Sequence, residues 1–375
     1  MITDLHCHYP MHLVHAEIDR DRARESFWKR LRDGFEEATF DLAALLFNDP
    51  AWTDRWRVDL DGLRAGGVGT VCSVLYWPAA ELLPTGGPHP LPKSFEHLVA
   101  QLEDVEMHLD GAVVVKRAAD LERGDIRFVH CVEGGFHLGP KVRYIEAQVA
   151  RLAACGVLYI TLAHLVPRGV AANAPALPML TDEQYRQVFP QKPGLGLTDL
   201  GEAAVRAMVK HHVVVDLSHM RQDAIDETLH LLDACDPKCE LPVIASHVGA
   251  RSAGPEKLEY NLAPATMQAI ARRKGVIGLI LSRHLMGESD DAPEVRDVLR
   301  RHIEAIHDVL ETHDHTALGT DLDGFIKPTL APIETARDLE KLEEWIRADF
   351  TDAADGILHA NADACIRRVF ELRER

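Results

Sequence analysis

The sequence lacks the features that mark secreted and membrane-spanning proteins. Its 375 residues include only seven cysteines, an odd number at scattered positions, so a reducing compartment is expected rather than a disulfide framework. No apolar run approaches the ~20 residues that a membrane span needs. The first predicted strand begins at Ile2, which leaves no room for a signal peptide, and a cytoplasmic protein is therefore expected.

Positive charge is also scarce. Lys and Arg number 41 against 59 Asp and Glu, which gives a net charge of −18 with histidine neutral. Nucleic acids and anionic membrane surfaces are bound through basic patches, so neither is an expected partner. A strongly acidic chain is instead suited to gathering cations.

A glycine-rich phosphate-binding turn is missing after the first predicted strand, which disfavours the alternative of an open, doubly wound sheet. What is present is an alternation of short apolar strands with amphipathic helices, typical of a parallel sheet covered on both faces. The predicted strands are Ile2–His6, Val68–Tyr76, Ile126–Glu133, Val157–His164, Val213–His219, Pro242–His247, Val276–Ser282 and Ala317–Asp321. These eight units predict a (β/α)8 TIM barrel as a single domain over residues 1–375, with extra C-terminal helices.

Metal-competent side chains stand where the predicted strands end. The carboxyl ends of barrel strands meet at one mouth, which is where catalytic groups lie. His6 and His8 are two residues apart, so an extended backbone points both imidazoles the same way. An isolated buried histidine is usually a satisfied core residue, but this many groups at strand ends predict one metal site. The set is His6, His8, Glu133, His164, His219, His247 and Asp321.

The number of candidate ligands exceeds what one tetrahedral zinc ion takes. Such a set suits two metal ions about 3.5–4 Å apart that share a carboxylate, activate a bridging water and polarise a carbonyl. Glu133 is the predicted bridge because it is a carboxylate lying between the two histidine groups in sequence. Gly134 and Gly135 leave room for close backbone approach beside it.

These residues lie in stretches that resemble the renal (membrane) dipeptidases, zinc-dependent members of the amidohydrolase-type barrels. The resemblance runs from Asp4 to about Phe370. It is carried by Asp4–His6, Val132–Gly135, Gly156–His164, Gly196–Thr198, Asp216–His219, Pro242–Arg251, Gly319–Gly324 and a closing helix over Gly356–Phe370. It implies an amidohydrolase-like barrel that binds about two Zn2+ ions per chain.

The resemblance assigns the metal ligands position by position. His6 matches the first zinc ligand, and Glu133 matches the bridging glutamate. His219 and His247 match the two histidines that hold the second zinc. Asp321 matches an aspartate beside the metals and counts among the candidate ligands.

The reaction that the resemblance implies is hydrolysis of a small peptide or amide by a hydroxide that bridges the metals. Glu133 holds the bridge, and His164 matches the histidine that contacts the substrate carbonyl and stabilises the oxyanion. Asp321 passes the proton to the leaving amine. A dipeptidase is therefore the leading expectation.

Two positions depart from the family pattern. His8 stands where the family has an aspartate, although imidazole still binds zinc. Tyr260 stands where the family has the arginine that grips the substrate carboxylate, and a tyrosine lacks the bidentate guanidinium fork. Arg251 or Arg283 replaces that arginine only if its loop turns inward. Tyr260 and Arg251 are thus the further candidates for substrate binding, beside His164.

Two alternatives to a dipeptidase stay open. The departures favour a hydrolase of another small amide, ester or lactone. A metal-binding barrel without catalysis is the alternative from another class, although such a barrel would need neither His164 nor Asp321. The Pro/Gly-rich segment from Pro167 to Pro193 is expected to be a loop that serves as a lid or as a contact in a homodimer.

Overall fold

The computed structural model describes residues 1–11, 13, 56–82, 90, 93–255, 258–287, 292–324, 326 and 329–375. The charged stretch Ile18–Glu37, whose composition predicts a helix, lies outside these residues. Among the described helices, none is long and apolar enough to cross a membrane.

Eight parallel strands close into a barrel, as predicted. With one short strand beside the barrel, β3, the described residues form nine strands: β1 (Ile2–Cys7), β2 (Val68–Leu75), β3 (Val113–Val114), β4 (Arg127–Glu133), β5 (Tyr159–Thr161), β6 (Val214–Asp216), β7 (Val243–Val248), β8 (Ile277–Leu279) and β9 (Thr316–Leu318). Each barrel strand pairs in parallel with its neighbour, and β9 returns to β1. The short β3 stands beside the barrel and pairs with the first residues of β4, while β2 pairs with β4 directly.

Helices connect the strands and follow the last one. They are α1 (Leu60–Ala65), α2 (Pro78–Leu82), α3 (Ser94–Met107), α4 (Val142–Ala154), α5 (Asp182–Val188), α6 (Asp199–Lys210), α7 (Gln222–Cys235), α8 (Pro264–Arg272), α9 (Arg283–Met286), α10 (Ala292–Leu310), α11 (Leu339–Asp349) and α12 (Asn361–Arg373). A π-helical turn, Gly356–Ala360, leads into α12. Thr198 caps α6, with its hydroxyl accepting from the Gly201 N–H.

The segment predicted as an unbroken loop after the fourth predicted strand contains a helix. Thr181 and Gln184 form a reciprocal capping box that starts α5 despite the surrounding prolines. Tyr185 in this helix is fully buried and donates a hydrogen bond to the Leu165 carbonyl at 2.8 Å. The segment is therefore anchored to the strand end that it follows.

Helix α12 covers the amino-terminal end of the barrel. Its buried side chains, including Ile366 and Phe370, pack against Leu5 and Val129 from the strands. At the start of β1, the Thr3 hydroxyl donates to Asp363 at 2.7 Å. This packing leaves the opposite, carboxyl-terminal end of the barrel as the place for a site.

Candidate metal centre

All seven predicted strand-end residues meet at the carboxyl end of the barrel, around the Glu133 carboxylate. Its Oε1 lies 3.3 Å from His6 Nε2, 3.5 Å from His219 Nε2 and 3.4 Å from His247 Nε2. Its Oε2 lies 3.1 Å from both His8 Nε2 and His164 Nε2. Burial would raise the pKa of Glu133, but the surrounding imidazoles hold it well below the usual range of a glutamate.

His6 and His8 form one side of the group. The strand pairing of β1 is irregular between Asp4 and Cys7, and such an irregularity re-aims side chains. Asp321 Oδ1 lies 3.4 Å from His8 Nε2 and 3.7 Å from His6 Nε2. Burial would lower the pKa of His8, but contacts with Asp321 and Glu133 raise it to about 9.

His219 and His247 form the other side, with their Nε2 atoms 2.8 Å apart. His219 follows β6 in a left-handed backbone conformation, with φ of 64°, and Asp321 follows β9 with φ of 58°. Non-glycine residues in this region cost about 1 kcal/mol or more, and such strain clusters at functional sites. Burial lowers the pKa of both histidines, that of His247 well below its usual range.

Gly324 lets Asp321 approach the histidines. A Cβ atom at position 324 would lie 1.8 Å from Asp321 Oδ1 and 2.8 Å from His8 Cδ2. Any larger residue would push the carboxylate out of place. Close packing in the site thus explains why a glycine stands at position 324, the last residue of the Gly319–Gly324 stretch.

A buried network below the group sets the orientation of two imidazoles. The Ser246 hydroxyl donates to Asp216 Oδ2 at 2.6 Å, and it also lies 2.8 Å from His247 Nδ1 and 3.0 Å from His6 Nδ1. A hydroxyl has one proton, so Ser246 accepts from both ring nitrogens. The Tyr159 hydroxyl donates to the Leu5 carbonyl and is the second acceptor for His6 Nδ1 at 2.8 Å. Both histidines therefore carry their proton on Nδ1 and present the lone pair of Nε2 to the centre.

Asp216 is the hub of this network. Its carboxylate accepts from the backbone N–H groups of Ser218 and Ser246 and from the hydroxyls of Thr161, Ser218 and Ser246. Donors from β5, from β7 and from the turn after β6 thereby share one buried carboxylate. Sequence reasoning included Asp216 and Ser246 in motif stretches but gave neither a role.

Glu81, which is not among the predicted site residues, contacts His164 at the ring nitrogen opposite the one that faces Glu133. Glu81 Oε2 lies 2.5 Å from His164 Nδ1, and Glu81 is fully buried. Burial would lower the pKa of His164, but the Glu133 and Glu81 carboxylates raise it to about 10. The signal that could have identified Glu81 from the sequence is a carboxylate in the first helix after a strand.

The two other predicted substrate-binding residues differ in position. Tyr260 lies against the group, where its hydroxyl donates to the His247 carbonyl at 2.8 Å and its ring stands edge-on to His219 at 4.9 Å. Arg251 does not face the group. Its guanidinium donates to the carbonyls of Asn261 and Glu259 at 2.8 and 2.9 Å.

The cavity above the group has mostly apolar walls. Leu165, Ala176 and Pro178 line it near His164, and other contributions come from Ile280, Leu285 and Ile326. Among the described lining residues there is no arginine or lysine. His164, His219, Tyr260 and Asp321 are the ring and acidic groups that reach it, together with the hydroxyl residue Ser282.

The donor set fits a metal centre. Several buried atoms in the described part of the chain make no well-formed hydrogen bond, namely His6 Nε2, His8 Nδ1 and Nε2, His219 Nδ1 and both Glu133 oxygens. Unpaired buried polar atoms are costly, and a cation would satisfy several of these at once. Three overlapping triads have ligand atoms within 4.8 Å of one another: His6–His8–Glu133, Glu133–His164–His219 and His6–His247–Asp321.

A (β/α)8 barrel with clustered histidines and carboxylates at the carboxyl ends of its strands defines the class of metal-dependent hydrolase barrels. The sequence model of the membrane dipeptidase family (peptidase family M19) matches residues 1–374, so this chain belongs to that family. The predicted resemblance is confirmed, and with it the expectation of a metal cofactor.

Solved structures share the fold of this chain. A metallo peptidase from Rhodobacter sphaeroides, liganded with a phosphinate mimic of the dipeptide L-Ala-D-Ala, is 19% identical with a TM-score of 0.69, covering 98% of this chain and 99% of that one. A dipeptidase AC of family M19 is 18% identical with a TM-score of 0.68, covering 98% of both chains. At these identities the likeness concerns the fold.

Curated relatives match part of the chain. The "uncharacterized protein in pqqA 5'region" of Klebsiella pneumoniae is 28% identical over 145 residues, which are 37% of this chain and 49% of that protein. The match thus spans about half the length of this relative, and it carries no information on activity.

Proposed function

We propose that this chain is a zinc-dependent dipeptidase with about two metal ions at the barrel mouth. The observation that carries the proposal is the convergence of five imidazole Nε2 atoms on the two oxygens of Glu133, at 3.1 to 3.5 Å. One carboxylate shared by so many nitrogen donors is the arrangement expected of a bridging ligand. Location in the cytoplasm and a homodimer contact remain predictions.

The metal ligands of this proposal divide between the two sides of Glu133. His6 and His8 would hold one ion and His219 and His247 the other, with Asp321 beside them. The Nδ1 protons that Ser246 and Tyr159 accept leave the Nε2 lone pairs of His6 and His247 available for such ions. When bound, the ions would polarise the scissile carbonyl and lower the pKa of a water molecule.

Side chains of this protein would carry out the remaining steps of the hydrolysis. His164 presents Nε2 to the cavity side of Glu133, where it can donate to the carbonyl oxygen as negative charge develops. Asp321 borders the cavity and is the carboxylate that would transfer a proton to the leaving amine. The apolar walls would position the side chains of the peptide and exclude water.

The proposal is tested by zinc-loaded protein and a panel of dipeptides. Asp321→Asn should lower kcat by about 100-fold or more, since proton transfer by a placed side chain contributes that much. His219→Ala should lower both zinc content and turnover. The control is Asp199→Asn, the same change on an exposed helix start, which should leave kinetics unchanged. Turnover by the Asp321→Asn variant at the wild-type rate would contradict the proposal.

Hydrolysis of a neutral amide, ester or lactone is the second candidate. It is favoured by the engagement of Tyr260 with His247 and by the turn of Arg251 towards loop carbonyls. Neither side chain offers a cation to a substrate carboxylate. A dipeptide and its C-terminal amide, compared by kcat/KM, separate the candidates, because a carboxylate-binding site prefers the free acid. Absence of turnover for every dipeptide, with hydrolysis of neutral substrates, would favour the second candidate.

A further inference from the structure

Glu81 is a buried carboxylate that accepts from three donors at the edge of the site. It lies in helix α2, just after β2, and is fully buried. The Tyr76 hydroxyl donates to Oε2 at 2.7 Å, and the Val166 N–H donates to Oε1 at 2.7 Å. The third contact is His164 Nδ1, at 2.5 Å from Oε2.

The His164 ring is confined on its other sides as well. The rings of Tyr76 and His219 each stand edge-on to it, with centroids 4.7 Å away. The Asn173 amide donates to the His164 carbonyl. Glu81 occupies Nδ1, so Nε2 is the ring nitrogen that remains for a substrate. It lies 3.1 Å from Glu133 Oε2. The His164 ring can therefore interact with a substrate through Nε2 and not through Nδ1.

We propose that Glu81 is a positioning residue that accepts the N–H of His164 Nδ1 and so aims a second N–H, on Nε2, at the reacting carbonyl. The inference rests on the proposed function of His164. An ionised carboxylate only accepts hydrogen bonds, so Nδ1 has to be the donor. Outer residues of this kind orient a ring, and their loss usually costs about 10–100-fold.

A purely structural role would not require a carboxylate at this position. A glutamine could accept from the Val166 N–H and pair with the Tyr76 hydroxyl, since a hydroxyl both donates and accepts. The single oxygen of that glutamine would already be bonded to Val166, so its NH2 group would face His164 Nδ1–H, which is also a donor. The His164 ring would therefore have to move. Glu81→Gln therefore separates ring positioning from support of the loop.

The expected result for Glu81→Gln is a kcat about 10–100-fold lower with KM changed less than about threefold and zinc content unchanged. The wild-type protein, labelled with 15N-histidine, should show a downfield Nδ1–H proton for His164 that disappears in the variant. His164→Gln assigns that resonance. This signal does not depend on turnover, so it tests the inference even if no dipeptide is hydrolysed.

Asp236→Asn is the matched control. Asp236 is also a buried carboxylate with three donors, the Glu240 and Leu241 N–H groups and Arg273, but it precedes β7 at the opposite end of the barrel. This variant should lower Tm and leave kcat and the His164 resonance unchanged. Wild-type kcat together with a retained Nδ1–H signal in Glu81→Gln would overturn the inference. So would a loss of kcat that merely parallels lost zinc and lost Tm.

Discussion

The two sides of the candidate metal centre are built differently. His6 lies in β1 and His8 directly follows it, two residues further along the same segment. His219 follows β6 and His247 lies in the adjacent β7, so their meeting depends on the pairing of β6 with β7. The first side needs one extended segment, whereas the second needs a correctly assembled barrel.

Charge separates the two sides further. The carboxylates beside His8 raise its pKa to about 9, while burial lowers the pKa of His219 and of His247. At neutral pH, without a metal ion, His8 is a cation and the other two are neutral. The second side is thus ready to bind a metal ion, and the first side has to release a proton.

Each side also rests on a buried aspartate. Asp4, below the first side, accepts from the N–H groups of His6 and Thr320 and from the Thr320 hydroxyl. Asp216 has five donors, and its link through Ser246 reaches histidines on both sides. The aspartate below the second side therefore supports histidines on both sides, whereas Asp4 supports the first side alone.

The largest expected effect follows from removing that support. Asp216→Ala would leave backbone N–H groups and hydroxyls unpaired in the core, so the free energy of unfolding should fall by about 3 kcal/mol or more. Asp4→Ala is the matched comparison and should cost less, because Asp4 has fewer donors. Urea unfolding of metal-free protein measures both. Equal losses of unfolding free energy in the two variants would contradict the proposed difference between the two sides.

Ser246→Ala should have the next largest effect. It removes the shared acceptor of His6 and His247, so zinc affinity should fall by about 10–100-fold for the protein as a whole. Ser218→Ala serves as the control, because the Ser218 hydroxyl donates to Asp216 and accepts from the His247 backbone N–H, whereas the Ser246 hydroxyl accepts from the imidazole rings. Competition with a zinc chelator measures the change. Equal affinities of the two variants would contradict the assigned tautomers.

The pH dependence of metal binding should differ between the sides. In His219→Ala, binding to the first side requires His8 to lose a proton, so affinity should fall about tenfold for each pH unit below 9. In His8→Ala, binding to the second side should change little between pH 7 and 8, because the pKa of His219 and His247 is already lowered. Calorimetric titration in two buffers counts the released protons. Parallel pH profiles would contradict this difference.

Tyr260→Phe should have the smallest effect. It deletes the hydrogen bond to the His247 carbonyl, worth about 1 kcal/mol, and keeps the ring packed against His219. Turnover should therefore fall less than about tenfold. Steady-state kinetics with the best substrate give the answer, and a loss of 100-fold or more would assign the hydroxyl a direct part in the reaction.

The strand-end residues were predictable because a buried strand is visible as an apolar run, and a polar side chain at its end is conspicuous. His6, Glu133 and Asp321 were found in this way, and closure of the barrel brings them together. Glu81 was missed because it stands five residues beyond the end of its predicted strand, and its partner lies on another loop. The direction of Arg251 was also unpredictable, since backbone carbonyls of its own loop determine it.

We propose that two metal ions occupy the barrel mouth, and metal analysis of purified protein tests this proposal most directly. Wild-type protein should contain about two zinc ions per chain, and His8→Ala and His219→Ala about one each. Dipeptide hydrolysis should disappear with a chelator and return with zinc. Wild-type protein without any transition metal, and with activity unaffected by chelation, would contradict the account.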